Sequence, residues 1–130
     1  MKVILVDAIN ALIVKSDGGG VLFKEMYDLL ETFPNKKIIL TGANDEELKK
    51  FGLDAAPYEV FTLKHNPEKT NPTYYKRMLE HFNLTANDVL YFENKPEAVK
   101  SAETVGITTY HYDPIAKDIA SLKRFIEKHL

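Results

Sequence analysis

The sequence opens with a short apolar run that ends in an acid. Val3 to Val6 is continuously apolar and contains β-branched residues, and Asp7 follows it directly. Such a run is too short for a helix and is typical of a strand buried on both faces of a parallel sheet. The carboxyl ends of such strands border the ligand crevices of open α/β sheets. Asp7 is therefore a nucleophile, a metal ligand or only the cap of the following turn.

Strand and helix patterns alternate along the rest of the chain. Apolar runs predict four further strands, at 37–41, 59–63, 88–92 and 107–112. Helical spacing and capping residues predict helices over 21–33, 44–51, 72–82 and 96–105, and a last helix from Asp113 and Pro114 with Ile115, Ile119, Leu122 and Ile126 on its apolar face. The turn cluster at residues 15–20, with its three glycines, predicts a flexible hairpin tip. The alternation predicts a three-layer α/β/α, Rossmann-like fold with a five-stranded parallel sheet.

Composition narrows the classes of function. The chain has 130 residues, 45% of them hydrophobic and 28% charged, with a net charge of −2, so we expect one domain, residues 1–130, with its own core. The chain has no excess of positive charge, so its composition does not indicate nucleic acid or an anionic membrane as a partner. The absence of cysteine excludes disulfides and thiolate chemistry. No signal-like segment or membrane-length apolar run is present, so a cytoplasmic location is expected. The four histidines lack metal-ligand spacing and are interpreted as surface or packing residues.

Polar residues follow several of the predicted strands or lie in the loops beside them. They are Asp7, Thr41 with Gly42, Lys69, and Glu93 with Asn94. Parallel strands end at one edge of a sheet, so these side chains can converge. An acid, a hydroxyl, an ammonium and a second acid or amide suit phosphoryl transfer with Mg²⁺. Each also has a simpler interpretation: Lys69 as a solvated loop residue, Thr41 as a local backbone partner, and Glu93 or Asn94 as a helix cap.

Four motifs in order carry a resemblance to a known family. The first, Asp7-Ala-Ile-Asn-Ala-Leu12, is similar to Asp-x-Asp-Gly-Thr-Leu after a strand. The others are Ile38-Ile-Leu-Thr41, Lys69-Thr-Asn-Pro72 and Val89-Leu-Tyr-Phe-Glu-Asn94, followed by Pro96 to Ile107 with its Ala…Gly-Ile ending. Over essentially its full length the chain resembles the haloacid dehalogenase (HAD) superfamily of hydrolases.

The resemblance implies roles for individual residues. Asp7 is implied as the nucleophile that forms an aspartyl-phosphate, and Lys69 as its catalytic partner. The implied substrate-binding residues are Thr41, Gly42 and Asn10. The implied Mg²⁺ ligands are Asp7, the backbone carbonyl of Ile9, Glu93 and Asn94. The implied substrate is a phosphorylated small molecule or macromolecule.

The sequence departs from the family pattern at four positions: Asn10 replaces Gly, Ala11 replaces Thr, and Ile9 and Asn94 replace acids. Ile9 stands where the family has its general-acid Asp, and isoleucine cannot donate a proton. Asn94 is neutral where the family has an acid, so we expect weaker Mg²⁺ binding. Only a hairpin and one helix fit between the first motif and the second strand, so no cap domain is expected. An open site then admits large substrates, or a partner in a homo-oligomer supplies the lid.

Three functions are compatible with these residues. The first is a weak Mg²⁺-dependent phosphatase, biased toward activated or acyl phosphates because the acid is missing. The second is a catalytically inactive binding or interaction protein that keeps the fold. The third, a phospho-acceptor receiver domain, also uses Asp, Thr and Lys, but it needs an acidic pair after the first strand, where Asp7 stands alone.

Overall fold

Seven strands form two sheets in the computed structural model, which describes residues 1–130. The strands are β1 (Val3–Asp7), β2 (Ile13–Ser16), β3 (Gly19–Leu22), β4 (Lys37–Thr41), β5 (Glu59–Thr62), β6 (Val89–Glu93) and β7 (Thr108–His111). Five of them build a sheet in the order β5-β4-β1-β6-β7, and every neighbouring pair is parallel. The predicted five-stranded parallel sheet is confirmed.

Helices cover both faces of this sheet. They are α1 (Lys24–Glu31), α2 (Asp45–Lys50), α3 (Pro72–Phe82), α4 (Pro96–Thr104) and α5 (Ile119–His129). α1 and α5 pack on one face around Leu30 and Leu122, and α3 and α4 pack on the other around Tyr75 and Ala102. β1 contributes to both cores because alternate strand residues point to opposite faces. No helix has both the length and the apolar character needed to cross a bilayer.

The order of the strands places a crevice beside β1. From β1 the chain proceeds to β4 and β5 on one side, and it then returns to place β6 and β7 on the other side. β1 is therefore the strand at which the winding reverses. Ligands of doubly wound sheets bind outside the carboxyl ends of the strands at this reversal. Asp7 and Glu93 are the last residues of the two strands that meet there.

The predicted start of the first helix, at residue 21, is wrong. Val21 and Leu22 belong to β3, which pairs antiparallel with β2 and brings Leu22 opposite Ile13. The helix begins only at Lys24. Apolar residues at 21 and 22 fit a helical pattern and a strand equally well, and the hairpin pairing decides between them.

The predicted start of the last helix is wrong as well. Asp113 accepts hydrogen bonds from the amides of Ile115 and Ala116 and closes a local turn instead of starting the helix. Lys117 has a φ of +49°, which breaks the helical path, and Asp118 then caps α5 through the amide of Ser121. Ile115 is consequently 91% exposed and does not belong to the apolar face of the helix.

Candidate active site

The carboxyl edge of the sheet carries a cleft of about 500 Å³. Asp7, Thr41 and Glu93, the last residues of β1, β4 and β6, line it and are buried. Lys69 from the loop before α3 and Asn94 after β6 line it too. The structure therefore brings together the polar residues that the sequence placed at strand ends, although they are spread over much of the chain.

The Asp7 carboxylate is bonded on both oxygens. Its Oδ1 accepts a hydrogen bond from Lys69 Nζ at 2.8 Å. Its Oδ2 accepts one from the Asn94 backbone amide at 3.0 Å and another from the Asn94 side-chain amide. These contacts hold the carboxylate at the floor of the cleft in a fixed orientation.

Lys69 joins two carboxylates. Its Nζ donates to Asp7 at 2.8 Å and to Glu93 Oε1 at 2.6 Å, and it also reaches the Leu40 carbonyl at 3.3 Å. The side chain is only 15% exposed. Burial opposes its charge, but Asp7 and Glu93 together hold the pKa of the ammonium well above its ordinary value. Lys69 is therefore a fixed cation beside Asp7.

Glu93 points toward Lys69 and has no free oxygen. Oε1 accepts from Lys69 and from the Tyr91 hydroxyl, and Oε2 accepts from the Lys95 amide at 2.9 Å. Burial opposes its ionisation, but Lys69 and these hydrogen bonds keep its pKa below the ordinary value. Tyr91 was not predicted as a site residue. Its position two residues before Glu93 on β6 puts both side chains on one face of the strand.

The pKa of Asp7 is raised to about 7. Burial is the main cause, and the nearby negative charge of Glu93 adds to it. Lys69 and the Asn94 amide act in the opposite direction and only partly compensate. The Asp7 side chain is therefore largely ionised only near neutral pH and above.

The three predicted substrate-binding residues also line the cleft. The Thr41 hydroxyl accepts a hydrogen bond from the Ala43 amide at 3.1 Å, so it also shapes its own loop. Gly42 follows it at the surface of the cleft, and Asn10 lies in the turn after β1 with a φ of +66°. Asparagine tolerates this left-handed conformation better than most residues do.

A second charged cluster lies at the rim of the cleft. His65 Nε2 is 2.5 Å from Glu47 Oε1, and His65 Nδ1 is 2.8 Å from Glu68 Oε1. The bond to Glu47 is the main cause that raises the pKa of His65, and Glu68 adds to it. His65 was interpreted as a surface or packing residue, and it is exposed, but it also ties α2 to the loop before α3.

Solved structures with the same chain path come from several bacteria. A HAD family enzyme from Bacteroides thetaiotaomicron aligns with a TM-score of 0.69 and 13% identity, over 88% of this chain and 95% of that one. A Thermotoga maritima protein, provisionally assigned as a β-phosphoglucomutase, aligns over 100% of both chains with a TM-score of 0.66 and 13% identity. A HAD-superfamily hydrolase from Geobacter sulfurreducens gives a TM-score of 0.64 and 14% identity, over 94% of this chain and 99% of that one. The chain has the HAD-like fold. No protein-family model matches the sequence, and neither does any curated protein.

Within this HAD-like fold, Asn94 decides how the cleft can receive a cation. Its side-chain nitrogen donates to Asp7 Oδ2 and, at 2.9 Å, to the Ile9 carbonyl. Two oxygens thus converge on one amide nitrogen. A half-turn of the amide would direct its oxygen to the same point, and a carboxylate, a carbonyl and an amide oxygen are donors that Mg²⁺ accepts. These three oxygens are of the type that binds Mg²⁺, but together they carry a single negative charge. Glu93 does not belong to this group, because its oxygens accept hydrogen bonds from Lys69, Tyr91 and Lys95.

Proposed function

We propose that this protein is a weak phosphohydrolase that acts through an aspartyl-phosphate on Asp7. The observation that carries the proposal is the Asp7–Lys69 pair at 2.8 Å at the floor of an open, polar cleft. A buried carboxylate held by a fixed cation is an oriented nucleophile with a positive charge beside it. A phosphoryl group that approaches Asp7 meets the Lys69 ammonium, which stabilises charge on the phosphoryl oxygens.

The reaction has two displacements. An Asp7 oxygen attacks phosphorus, and the bond between phosphorus and the leaving-group oxygen breaks, so that oxygen departs with the electron pair. A water then attacks the phosphorus of the aspartyl-phosphate, the bond between phosphorus and the Asp7 oxygen breaks with its electron pair staying on Asp7, and both protons of the water leave with inorganic phosphate as dihydrogen phosphate. Asp7 returns to its carboxylate, which Lys69 and the Asn94 backbone amide hold as in the free protein.

Because the site lacks a general acid, the nature of the leaving group determines which substrates can react. Ile9 lies at the cleft where the family pattern has an Asp, and it has no proton to donate. General acid catalysis is worth about 10²–10⁴-fold. An acyl phosphate releases a carboxylate, which needs no proton, so acyl phosphates and other activated phosphates are the favoured class.

Magnesium is proposed as a weak cofactor. Asp7, the Ile9 carbonyl and the Asn94 side-chain oxygen would hold it, and it would supply positive charge near the phosphoryl group. The Bacteroides thetaiotaomicron enzyme with this fold was solved in complex with magnesium and inorganic phosphate, which supports the assignment. The single carboxylate in the donor set is the reason to expect low affinity.

A second candidate function is binding without turnover. The Asn94 amide bonds to Asp7 and to the Ile9 carbonyl, so both oxygens are satisfied without a cation. Together with the missing acid at Ile9, this favours a HAD-like binding protein that recognises a phosphorylated ligand or a protein and leaves it intact.

Hydrolysis of acetyl phosphate and of a chromogenic aryl phosphate, with and without Mg²⁺, separates the two candidates. Wild type is compared with Asp7→Asn, and Ile9→Asp is added to restore an acid. Turnover that disappears in Asp7→Asn supports the phosphohydrolase, and Ile9→Asp should then accelerate hydrolysis of the aryl phosphate more than that of acetyl phosphate, whose leaving group needs no proton. Turnover no greater than that of Asp7→Asn at high Mg²⁺ contradicts the phosphohydrolase and leaves the binding function.

A further inference from the structure

The cleft is larger and more polar than a phosphoryl group requires. Its volume of about 500 Å³ lies in the range of pockets for whole small molecules. Ile9, Ala43 and Phe51 are its only apolar lining residues. The rest of a substrate therefore lies along a charged and polar wall, which excludes a lipid-like group and favours a charged one.

The cations of this wall are not all paired. Lys69 is shared by Asp7 and Glu93, and His65 is shared by Glu47 and Glu68. Three other lysines line the cleft without a salt bridge, and they are Lys15, Lys50 and Lys95. With His65 protonated, each carboxylate pair keeps one negative charge, so the three lysines leave the cleft with a positive excess.

Two of these lysines converge on one aromatic ring. Lys15 Nζ from β2 lies 6.0 Å from the centre of the Phe51 ring, and Lys50 Nζ from the end of α2 lies 5.3 Å from it. An adjoining cavity of about 280 Å³ is lined by the same three residues and by the hairpin tip. Asp17 is the carboxylate that lines this cavity, and it forms no salt bridge. The cleft thus extends from Asp7 to a pair of ammonium groups.

The backbone around this pair is held closely. A Cβ atom at Gly19 would lie 3.1 Å from the Lys50 carbonyl oxygen, and one at Gly20 would lie 2.4 Å from Ile13 Cγ2 and 3.0 Å from the Phe51 carbonyl oxygen. Only glycine permits so close an approach of the hairpin to the end of α2. The hairpin tip, predicted as flexible from its glycines, is packed against the end of α2. This packing fixes the backbone of β2, which carries Lys15, relative to the end of α2, which carries Lys50 and Phe51.

We propose that Lys15 and Lys50, above Phe51, bind a second anionic group of the substrate. The substrate class is then a small phosphorylated molecule that carries a further phosphate or carboxylate, with the reacting phosphoryl group at Asp7. This inference rests on the proposed phosphate site at Asp7, and it goes further by assigning the opposite end of the cleft. Lys95 is a single cation without an aromatic neighbour among these contacts, so it is the less suitable anchor.

Binding of non-hydrolysable compounds tests the second subsite without any turnover. The probes are methylphosphonate, a series of alkane-α,ω-bisphosphonates with two to five methylene groups, and phosphonocarboxylates of the same lengths, measured by isothermal titration calorimetry. At one optimal length we expect a probe with two anionic groups to bind about tenfold more tightly than methylphosphonate, which has one. The two series distinguish a phosphate from a carboxylate as the second group.

Matched variants locate the effect. Lys15→Ala with Lys50→Ala should abolish the preference for the longer probes while methylphosphonate binding changes little. Lys100→Ala with Lys123→Ala removes the same charge from exposed positions outside the cleft and should leave the preference intact. The proposal is overturned if no length exceeds methylphosphonate, if the first double variant keeps the preference, or if Lys95→Ala alone removes it.

These results separate the failure of this subsite from that of the proposed reaction. Asp7-dependent turnover of acetyl phosphate without any preference for longer probes overturns the subsite and leaves the phosphohydrolase. A preference carried by Lys15 and Lys50 without Asp7-dependent turnover supports the subsite and overturns the phosphohydrolase.

Discussion

Two groups in the same cleft share one pattern, a cation between two carboxylates, and differ in burial. In the buried triad, Lys69 lies 2.8 Å from Asp7 and 2.6 Å from Glu93, and both carboxylate side chains are 2% exposed. In the exposed triad, His65 lies 2.5 Å from Glu47 and 2.8 Å from Glu68, with side chains 37–54% exposed. The contacts have similar lengths, so the main difference between the two ion triads is their exposure to solvent.

Solvent determines what each triad can do. Water screens the exposed triad, and pairs of this kind contribute about 0–1 kcal/mol. In the buried triad a single ammonium must balance two carboxylates with little screening, and the pKa of Asp7 rises to about 7 as a result of burial and of Glu93. The exposed triad therefore links α2 to the loop before α3, whereas the buried triad sets the charge of the proposed nucleophile.

Removal of the central cation should distinguish the triads most strongly. Lys69→Met leaves Asp7 and Glu93 buried without a counter-charge, and loss of one partner of a buried pair costs about 3–5 kcal/mol. Urea unfolding measures this loss at pH 8, where Asp7 and Glu93 are both ionised in the wild type. The matched change in the exposed triad, His65→Gln, should cost less than about 1 kcal/mol. Equal losses in the two variants would contradict the comparison.

The raised pKa of Asp7 should be visible in the pH dependence of the free energy of unfolding. Its folded pKa of about 7 lies above its unfolded value, so the folded state binds the extra proton. The stabilisation is complete below pH 4 and is lost as the pH rises toward 7 and above. Asp7→Asn removes this contribution and should reduce the decline in unfolding free energy between pH 5 and 7 by up to about 1.4 kcal/mol per pH unit. Urea unfolding in EDTA measures it, and parallel curves for the two proteins would refute the assignment.

Much of the buried triad could be predicted from the sequence. Asp7 and Lys69 are 62 positions apart, yet a parallel sheet brings strand ends and the adjoining loops to one edge, and the motif order located both residues. The division of roles between Glu93 and Asn94 could not be predicted. The side chains of consecutive residues point in different directions at the end of a strand. Only the structure shows that Glu93 faces Lys69 while Asn94 faces Asp7.

The exposed triad could not be predicted, because no local signal connects its members. Glu47 belongs to the capping box of α2, which the sequence indicates, but its contact with His65 depends on how α2 meets the loop before α3. The two wrong helix starts have a different cause. Leu22 and Ile115 fit helical spacing, and the pairing of the hairpin and the turn at Asp113 override it.

The charge of Glu93 should influence Asp7 specifically. Glu93→Gln removes the neighbouring negative charge, so the pKa of Asp7 should fall below its wild-type value. Carboxyl ¹³C NMR titration in the absence of metal measures the shift directly. Glu47→Gln is the control, since it removes a carboxylate from the rim of the same cleft and should leave the Asp7 titration unchanged. A shift of equal size in both variants would mean that the buried triad is screened as fully as the exposed one.

The smallest expected effect is the pH dependence of the exposed triad. The bond to Glu47, helped by Glu68, raises the folded pKa of His65 above its unfolded value. The stabilisation from the imidazolium is therefore fully present below about pH 6.5 and is lost as the pH rises through the folded pKa. We expect wild type to exceed His65→Gln in unfolding free energy by less than about 1 kcal/mol at pH 5.5, and the two to agree near pH 9. A difference that persists at pH 9 would show that His65 stabilises the rim by packing, and that charge in the exposed triad contributes nothing measurable.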